Sequence, residues 1–419
     1  MTVSLNTLFA RPLDDRRKTF FTHAAFMSLE EFVWGIFVLA EVVLRRELQA
    51  SPLTITLFAI LNPASSLFSV YFSQVLSVRP DHIYRHIRLV ALFTRLPLIL
   101  FFLWHDAASV LLLFGLFNIG VAMLKPVQSI YLRENFREGE IGRLYGITVS
   151  IAKVLFIAAS YGFGLWMDMN HNAYIVAFGG SGVVAFVSVL LLTLIPFRGW
   201  RLAAAAPAPK DMLGFATTRE TLRENAPFRR FEAAFFTYGS GFMVVLPALP
   251  ILLVDHLDLS YGVVSFGRGV MSAIFLIIFT PLLGRVLDRT NPIYLSKVSF
   301  FILIAYPAFL IAAWFLRGAA EPLFYLSFAA FGVAMAGVTL TWNVGPMYFA
   351  ATPQDIPRLM SVHVTLTGVR GLLVPIAGYF LLKIGILAPF FVSACCFCAA
   401  AFMMRRDGKF LLTAEKKSV

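Results

Sequence analysis

Charge is scarce in this chain. Of its 419 residues only 14% are Asp, Glu, Lys or Arg, against about a quarter in an ordinary soluble protein. Too few charged side chains exist to cover a globular surface, which excludes a soluble enzyme, and the shortage of polar residues equally excludes a disordered chain. Cysteine is nearly absent. Cys395, Cys396 and Cys398 fall in one late apolar run. Their spacing suits neither a zinc site nor a disulfide framework, so they are expected to act as small apolar residues in a helix. No Asn-x-Ser/Thr acceptor occurs, in keeping with a bacterial source. No cleavable leader is expected, because Arg16, Arg17 and Lys18 run into an apolar stretch without a small-residue cleavage site. Walker loop, metal-ligand cluster and nucleophile elbow are all missing. Neither an enzyme nor a cofactor or metal is therefore expected. Acids are scarcer than bases, 23 against 35, for a net charge of +12. The loops are too short to house a nucleic-acid-binding domain, so the basic excess belongs to cytoplasmic loops of a membrane protein.

What is abundant is apolar surface. Hydrophobic residues make up 59% of the chain, Phe alone contributes 43, and the mean hydropathy is +0.79. A spanning helix needs about 20 mostly apolar residues. Such runs lie near 19–44, 52–78, 87–105, 108–133, 143–167 and 172–196, then near 230–254, 260–285, 293–317, 321–350, 357–383 and 385–404. They are continuous rather than alternating, which selects helices over a β-barrel. The chain is thus expected to be an all-α polytopic membrane protein of 12 transmembrane helices in two pseudo-symmetric six-helix bundles. The bundles are 1–196 and 230–419, joined by a cytoplasmic linker at 197–229. That linker holds the run Ala203 to Pro209 and then Thr218 to Glu224, read as a short surface helix capped by Thr218.

With both termini cytoplasmic, inside segments carry 26 of the Lys and Arg residues and outside loops 4. The positive-inside rule therefore sets this orientation, in a bacterial inner membrane. A faint repeat supports two related halves. Tyr131-Leu132 followed by Arg143-Leu144 in the first matches Tyr348-Phe349 followed by Arg358-Leu359 in the second, and Ser73 to Ser77 sits where the second half has Gly284 to Asp288. Related halves imply a substrate site between them at the midplane.

The 6+6 layout, the basic central loop and the motif Gly284-Arg285-Val286-Leu287-Asp288-Arg289 together resemble the major facilitator superfamily of secondary transporters. The motif is similar to that family's Gly-x-x-x-Asp-Arg/Lys loop. The resemblance implies that Gly284, Asp288 and Arg289 gate the protein by latching helix ends in the outward-open state. The first-half counterpart, Ser73 to Arg79, lacks both Gly and Asp. Span 5 lacks the Gly-Pro pattern of the family's antiporters; span 11 instead carries Gly371 to Gly378 around Pro375.

Ionisable groups inside spans cost about 2.5–3.5 kcal/mol or more at a helix centre, so each needs a partner or a wet cavity. Five cations lie there: Arg95, Lys125, Lys153, Arg268 and Arg370. The central acids are Glu30 and Glu31, with Glu41 and Glu232 near helix ends. In span 1, His23, Met27, Glu30, Trp34, Phe37 and Glu41 recur at steps of 3 and 4 and share one helical face. Glu30 is read either as a proton carrier or as half of a static ion pair. Glu31, about 100° round the helix, is grouped with it as a coupling candidate, with the static pair favoured. Asn118, Lys125 and Gln128 share a face of span 4; His363, Thr367 and Arg370 share one of span 11.

By resemblance, spans 1 and 4 of each half line the central path and spans 2 and 5 flank it. Glu30, Trp34, Asn118 and Lys125 would then face the cavity, with Lys153, Arg268 and Arg370 reaching it from the sides and Tyr238, Trp342 and Asn343 completing it; His363 would tune it. Five cations against two central carboxylates leave three positive charges unmatched, which an anionic substrate would offset. The expected function is proton-coupled transport of a small organic anion by alternating access, carried out by a monomer in the bilayer. An exporter or flippase of a lipophilic amphipath is the second reading, resting on the abundant Phe and Met.

Overall fold

The computed structural model describes residues 14–66, 82–136, 138–197, 215–352 and 355–415. Everything regular among them is helical, as expected where lipid offers no partner for backbone N–H and C=O groups. The chain runs through α1 Asp14–Phe37, α2 Ala40–Arg46, α3 Pro52–Ser66, α4 Ile83–Val90, α5 Ala107–Asn135, α6 Glu138–Met169 and α7 Ala173–Leu191. It continues with α8 Phe215–Glu224, α9 Ala226–Val244, α10 Leu249–Ile251, α11 Tyr261–Ser265, α12 Ser272–Arg289, α13 Pro292–Leu303 and α14 Ala305–Phe315. The last three are α15 Ala320–Val344, α16 Ile356–Leu382 and α17 Ala388–Glu415.

Among the described residues, 8 helical stretches are long and apolar enough to cross a membrane. They correspond to expected spans 4 to 11. The others depart from that standard for visible reasons. Span 1 carries Glu30 and Glu31. Span 2 runs into 67–81, outside the described residues, as does the Ser73 to Arg79 counterpart of the loop motif. Span 3 changes helical type twice, and the apolar part of span 12 is short, Ala388–Met404. Large side chains such as Leu103, Met169 and Phe301 are exposed. In a bilayer they meet lipid, where apolar exposure carries no penalty.

Among the described residues three stretches are π-helical: Ala91–Arg95, Leu252–His256 and Phe266–Met271. Each extra residue per turn rotates the side chains that follow. Two intramembrane cations, Arg95 and Arg268, lie in these stretches.

Contacts divide the chain into two units, one comprising 1–38 and 65–209, the other 39–64 and 210–419. In the first, α1 packs along α6 and α7. Gly35 makes the α1–α6 approach possible: a Cβ there would stand 2.5 Å from the Phe156 carbonyl oxygen. In the second, α9 packs on α16 and α17, and α15 on α12, α13 and α14.

Two local expectations are corrected. The stripe of span 1 breaks after Phe37, where α1 ends in a turn, so Glu41 belongs to α2. The short helix of the linker exists as α8, but it starts at Phe215. Thr218 therefore sits inside the helix and cannot cap it, and its buried Oγ1 has no hydrogen-bond partner. The cysteines lie on α17 as free thiols.

Gly35→Leu should force α1 from α6 and lower stability by about 1–3 kcal/mol. Thermal unfolding in detergent checks this, with Gly146→Leu as the control, since no atom lies near a Cβ at Gly146.

Candidate functional site

The sequence-predicted charges gather into separate clusters. In the first unit, α1 presents Glu30 to Arg95, which the π-helical turn aims inward. Arg95 is fully buried and Glu30 nearly so. The guanidinium NH2 donates to Glu30 Oε2 at 3.0 Å and NH1 to the Phe117 carbonyl at 3.1 Å. Its centre lies 3.8 Å from the centroid of the Phe117 ring. The other carboxylate oxygen, Oε1, accepts from the Ser188 hydroxyl at 2.7 Å. Both oxygens of Glu30 are thus occupied by resident donors. Glu31, a third of a turn away, takes Lys153 Nζ at 2.7 Å, and the same ammonium lies over the Phe156 ring at 4.6 Å.

Trp34 packs edge-on against Phe117 at 5.4 Å. Asn118 is buried and donates to the Phe114 carbonyl of its own helix at 2.8 Å. Lys125, two turns further along the same face of α5, is exposed and has no ion pair among the described residues. His23 is buried and meets Gln128.

In the second unit, the segment 39–64 is tied to the ends of α10 and α11. Arg45 grips Asp255 through Nε and NH2 at 2.5–2.9 Å. Arg46 pairs with Asp258 at 3.2 Å, and Tyr261 donates to Glu47 at 2.9 Å. Arg268, turned by its own π-helical stretch, pairs with Glu41 at 2.5 Å.

A second buried cluster lies between α9 and α16. Glu232, Phe235, Tyr238 and Gly239 recur at steps of 3, 3 and 1 on α9, while His363 and Arg370 are two turns apart on α16. His363 Nδ1 sits 2.8 and 3.0 Å from the two Glu232 oxygens, and both residues are buried. Its Nε2 is buried without a partner. Trp342 meets the imidazole edge-on at 5.1 Å. Arg370, 5% exposed, donates from NH1 to the Phe235 carbonyl at 2.6 Å and stands 5.5 Å from the centroid of the Tyr238 ring. Its Nε has no partner, and no carboxylate pairs with it among the described residues. Tyr238 in turn stacks on Phe300 at 4.5 Å. Gly239 makes the seat: a Cβ there would lie 1.9 Å from the guanidinium carbon.

Of the remaining candidates, Asn343 is exposed and bonds its own helix at Thr339 O, 2.7 Å away. Gly284, Asp288 and Arg289 occupy the last turns of α12; Asp288 and Arg289 are exposed, and nothing approaches a Cβ built at Gly284.

The tally of unmatched cations changes. Arg95, Lys153 and Arg268 each have a resident carboxylate, which leaves Lys125 and Arg370. The count from sequence set aside Glu41 and Glu232 as end residues. Glu41 neutralises Arg268, and Glu232, given no role from sequence, forms the pair with His363. The spacing of Glu232, Phe235, Tyr238 and Gly239 on one face was the available signal.

The chain belongs to the Major Facilitator Superfamily, whose family model matches residues 24–354. Solved structures share the fold at low identity. The nucleoside transporter NupG aligns with a TM-score of 0.71 at 13% identity, covering 93% of this chain and 99% of its own. A bacterial homolog of the human lysosomal transporter Spinster aligns at 0.65 and 14%, covering 96% and 97%. A POT family transporter, solved in complex with a thioalcohol-conjugated peptide, aligns at 0.66 and 13%, covering 95% and 96%. No curated protein matches the sequence. The chain is therefore an integral multi-pass membrane protein of a transporter family, not an enzyme.

Removing one member of a buried pair leaves an uncompensated charge, at about 3–5 kcal/mol. Glu30→Gln should lose stability on that scale, and Glu30→Gln with Arg95→Met should recover most of it. Thermal unfolding of the single and double variants measures the recovery.

Proposed function

We propose that this transporter moves a small organic anion by alternating access, driven by a proton gradient, with Arg370 as the principal anion ligand. The observation that carries this reading is the state of Arg370: a guanidinium almost removed from solvent, holding one main-chain oxygen, with Nε unpaired. Such a group is costly unless an acceptor completes it, and the guanidinium fork suits a carboxylate or similar oxyanion. Tyr238 beside it supplies a ring for a ligand with a flat body, and His363, with Trp342 against its imidazole, lies two turns away on α16. Lys125, exposed and without an ion pair among the described residues, is the second candidate cation. Lys153 and Arg268, each held by a carboxylate, are less suited to ligation.

For Glu30 the geometry favours the static pair, since Arg95 and Ser188 already satisfy both oxygens. Glu31 is likewise engaged by Lys153. Gly284, Asp288 and Arg289 act in gating by resemblance to the family loop. Both termini face the cytoplasm of a bacterial cell, on the strength of the Lys and Arg distribution. Trp34, Asn118 and Asn343 play supporting parts.

Benzoate and benzenesulfonate should raise the melting temperature of the detergent-purified protein, and tetraethylammonium should not. Arg370→Ala should remove the anion response, a loss of at least about tenfold in apparent affinity for a charge-assisted bidentate contact. Equal stabilisation by the cation, or an unchanged anion response in Arg370→Ala, would reject the assignment.

A further inference from the structure

The α9–α16 cluster contains a titratable couple that the anion contact leaves unused. We propose that Glu232 and His363 form the proton-binding couple of this transporter, and that the proton they take up promotes anion binding at Arg370. The inference rests on the reading of Arg370 as the anion ligand.

The geometry defines where the proton goes. With the imidazole neutral, Nδ1–H donates to the Glu232 carboxylate, which fixes the tautomer and the ring orientation. The lone pair is then on Nε2, which is buried and has no partner. A proton added there changes the couple from a net charge of −1 to zero without breaking the Nδ1 contact. Arg370 and the couple are joined through Phe235, whose ring meets His363 at 5.3 Å and whose carbonyl accepts from Arg370. Before protonation the three groups sum to zero. After it they carry +1, in a buried setting where an anion restores neutrality. By linkage the effect is reciprocal: a bound anion favours the proton by the same factor. The two are then carried in one direction.

Among the described side chains, the other titratable and charged groups on the packed elements are engaged or exposed elsewhere. Arg358 of α16 holds Glu220 and Glu224 of α8. Arg219, Arg223, Arg229 and Arg230 are exposed. Lys297 of α13 lies over the Tyr294 ring and Lys383 over Tyr379; Tyr348 is exposed, and α17 contributes the thiols Cys395, Cys396 and Cys398. Tyr238 is the remaining titratable group at Arg370.

Two measurements on the full-length protein test this. Protonated imidazole quenches indole emission, and Trp342 touches His363, so fluorescence reports the couple without any ligand. A Trp314→Phe background removes the second His–Trp contact, that with His256. A pH-dependent change in Trp342 emission is expected. It should vanish in His363→Gln and differ from the parent in Glu232→Gln, which removes the carboxylate held at Nδ1. A titration identical in the parent and in folded His363→Gln overturns the proposal. The second measurement adds benzenesulfonate, ionised at every pH used, to lightly buffered protein with a pH dye. Proton uptake in the parent and its absence in His363→Gln support the couple. Binding without proton uptake overturns it. Absence of benzenesulfonate and benzoate binding counts against the anion reading instead, and the fluorescence titration then decides the couple by itself.

Discussion

The structure is governed by the cost of holding charge away from water. A carboxylate or guanidinium inside the apolar layer must find an opposite charge and enough hydrogen bonds to replace its hydration. Arg95 shows the pattern: one carboxylate, one main-chain carbonyl and the face of Phe117. Lys153 with Glu31 and Arg268 with Glu41 repeat it in simpler form. The backbone bends to the same requirement, since Arg95 and Arg268 both lie in π-helical stretches that re-aim them.

Against that pattern the α9–α16 cluster stands out. Its carboxylate is spent on a histidine, and Arg370, unlike Arg95, Lys153 and Arg268, has no carboxylate among the described residues. A buried cation without a counter-charge is costly. A base with an open nitrogen two turns along the same helix supplies the second element that the proposed proton and anion site requires.

Much of this was legible in the chain. Spans 4 to 11 could be read from apolar run length alone, and the loop motif at Gly284 to Arg289 with the 6+6 layout pointed to the family that the family model matches over residues 24–354. The partners were not legible. Glu30 and Arg95 lie 65 residues apart, Glu31 and Lys153 122, and Glu232 and His363 131. Helical periodicity says which residues share a face, never which face meets another. Glu41 and Glu232 lie near the ends of the expected spans and fall outside a count of central carboxylates, so that count overstates the cation excess. Break points were equally hidden: nothing in the 3–4 spacing marks the turn after Phe37 or the π-helical turn before Arg95.

The most direct test is a density map of the protein in nanodiscs with benzenesulfonate, at a resolution that shows side-chain carboxylates. The account predicts sulfonate density at the Arg370 guanidinium, with Arg95 still on Glu30, Lys153 on Glu31 and Arg268 on Glu41. A map in which a resident carboxylate or main-chain oxygens close every donor of Arg370, with no anion beside it, would contradict the account.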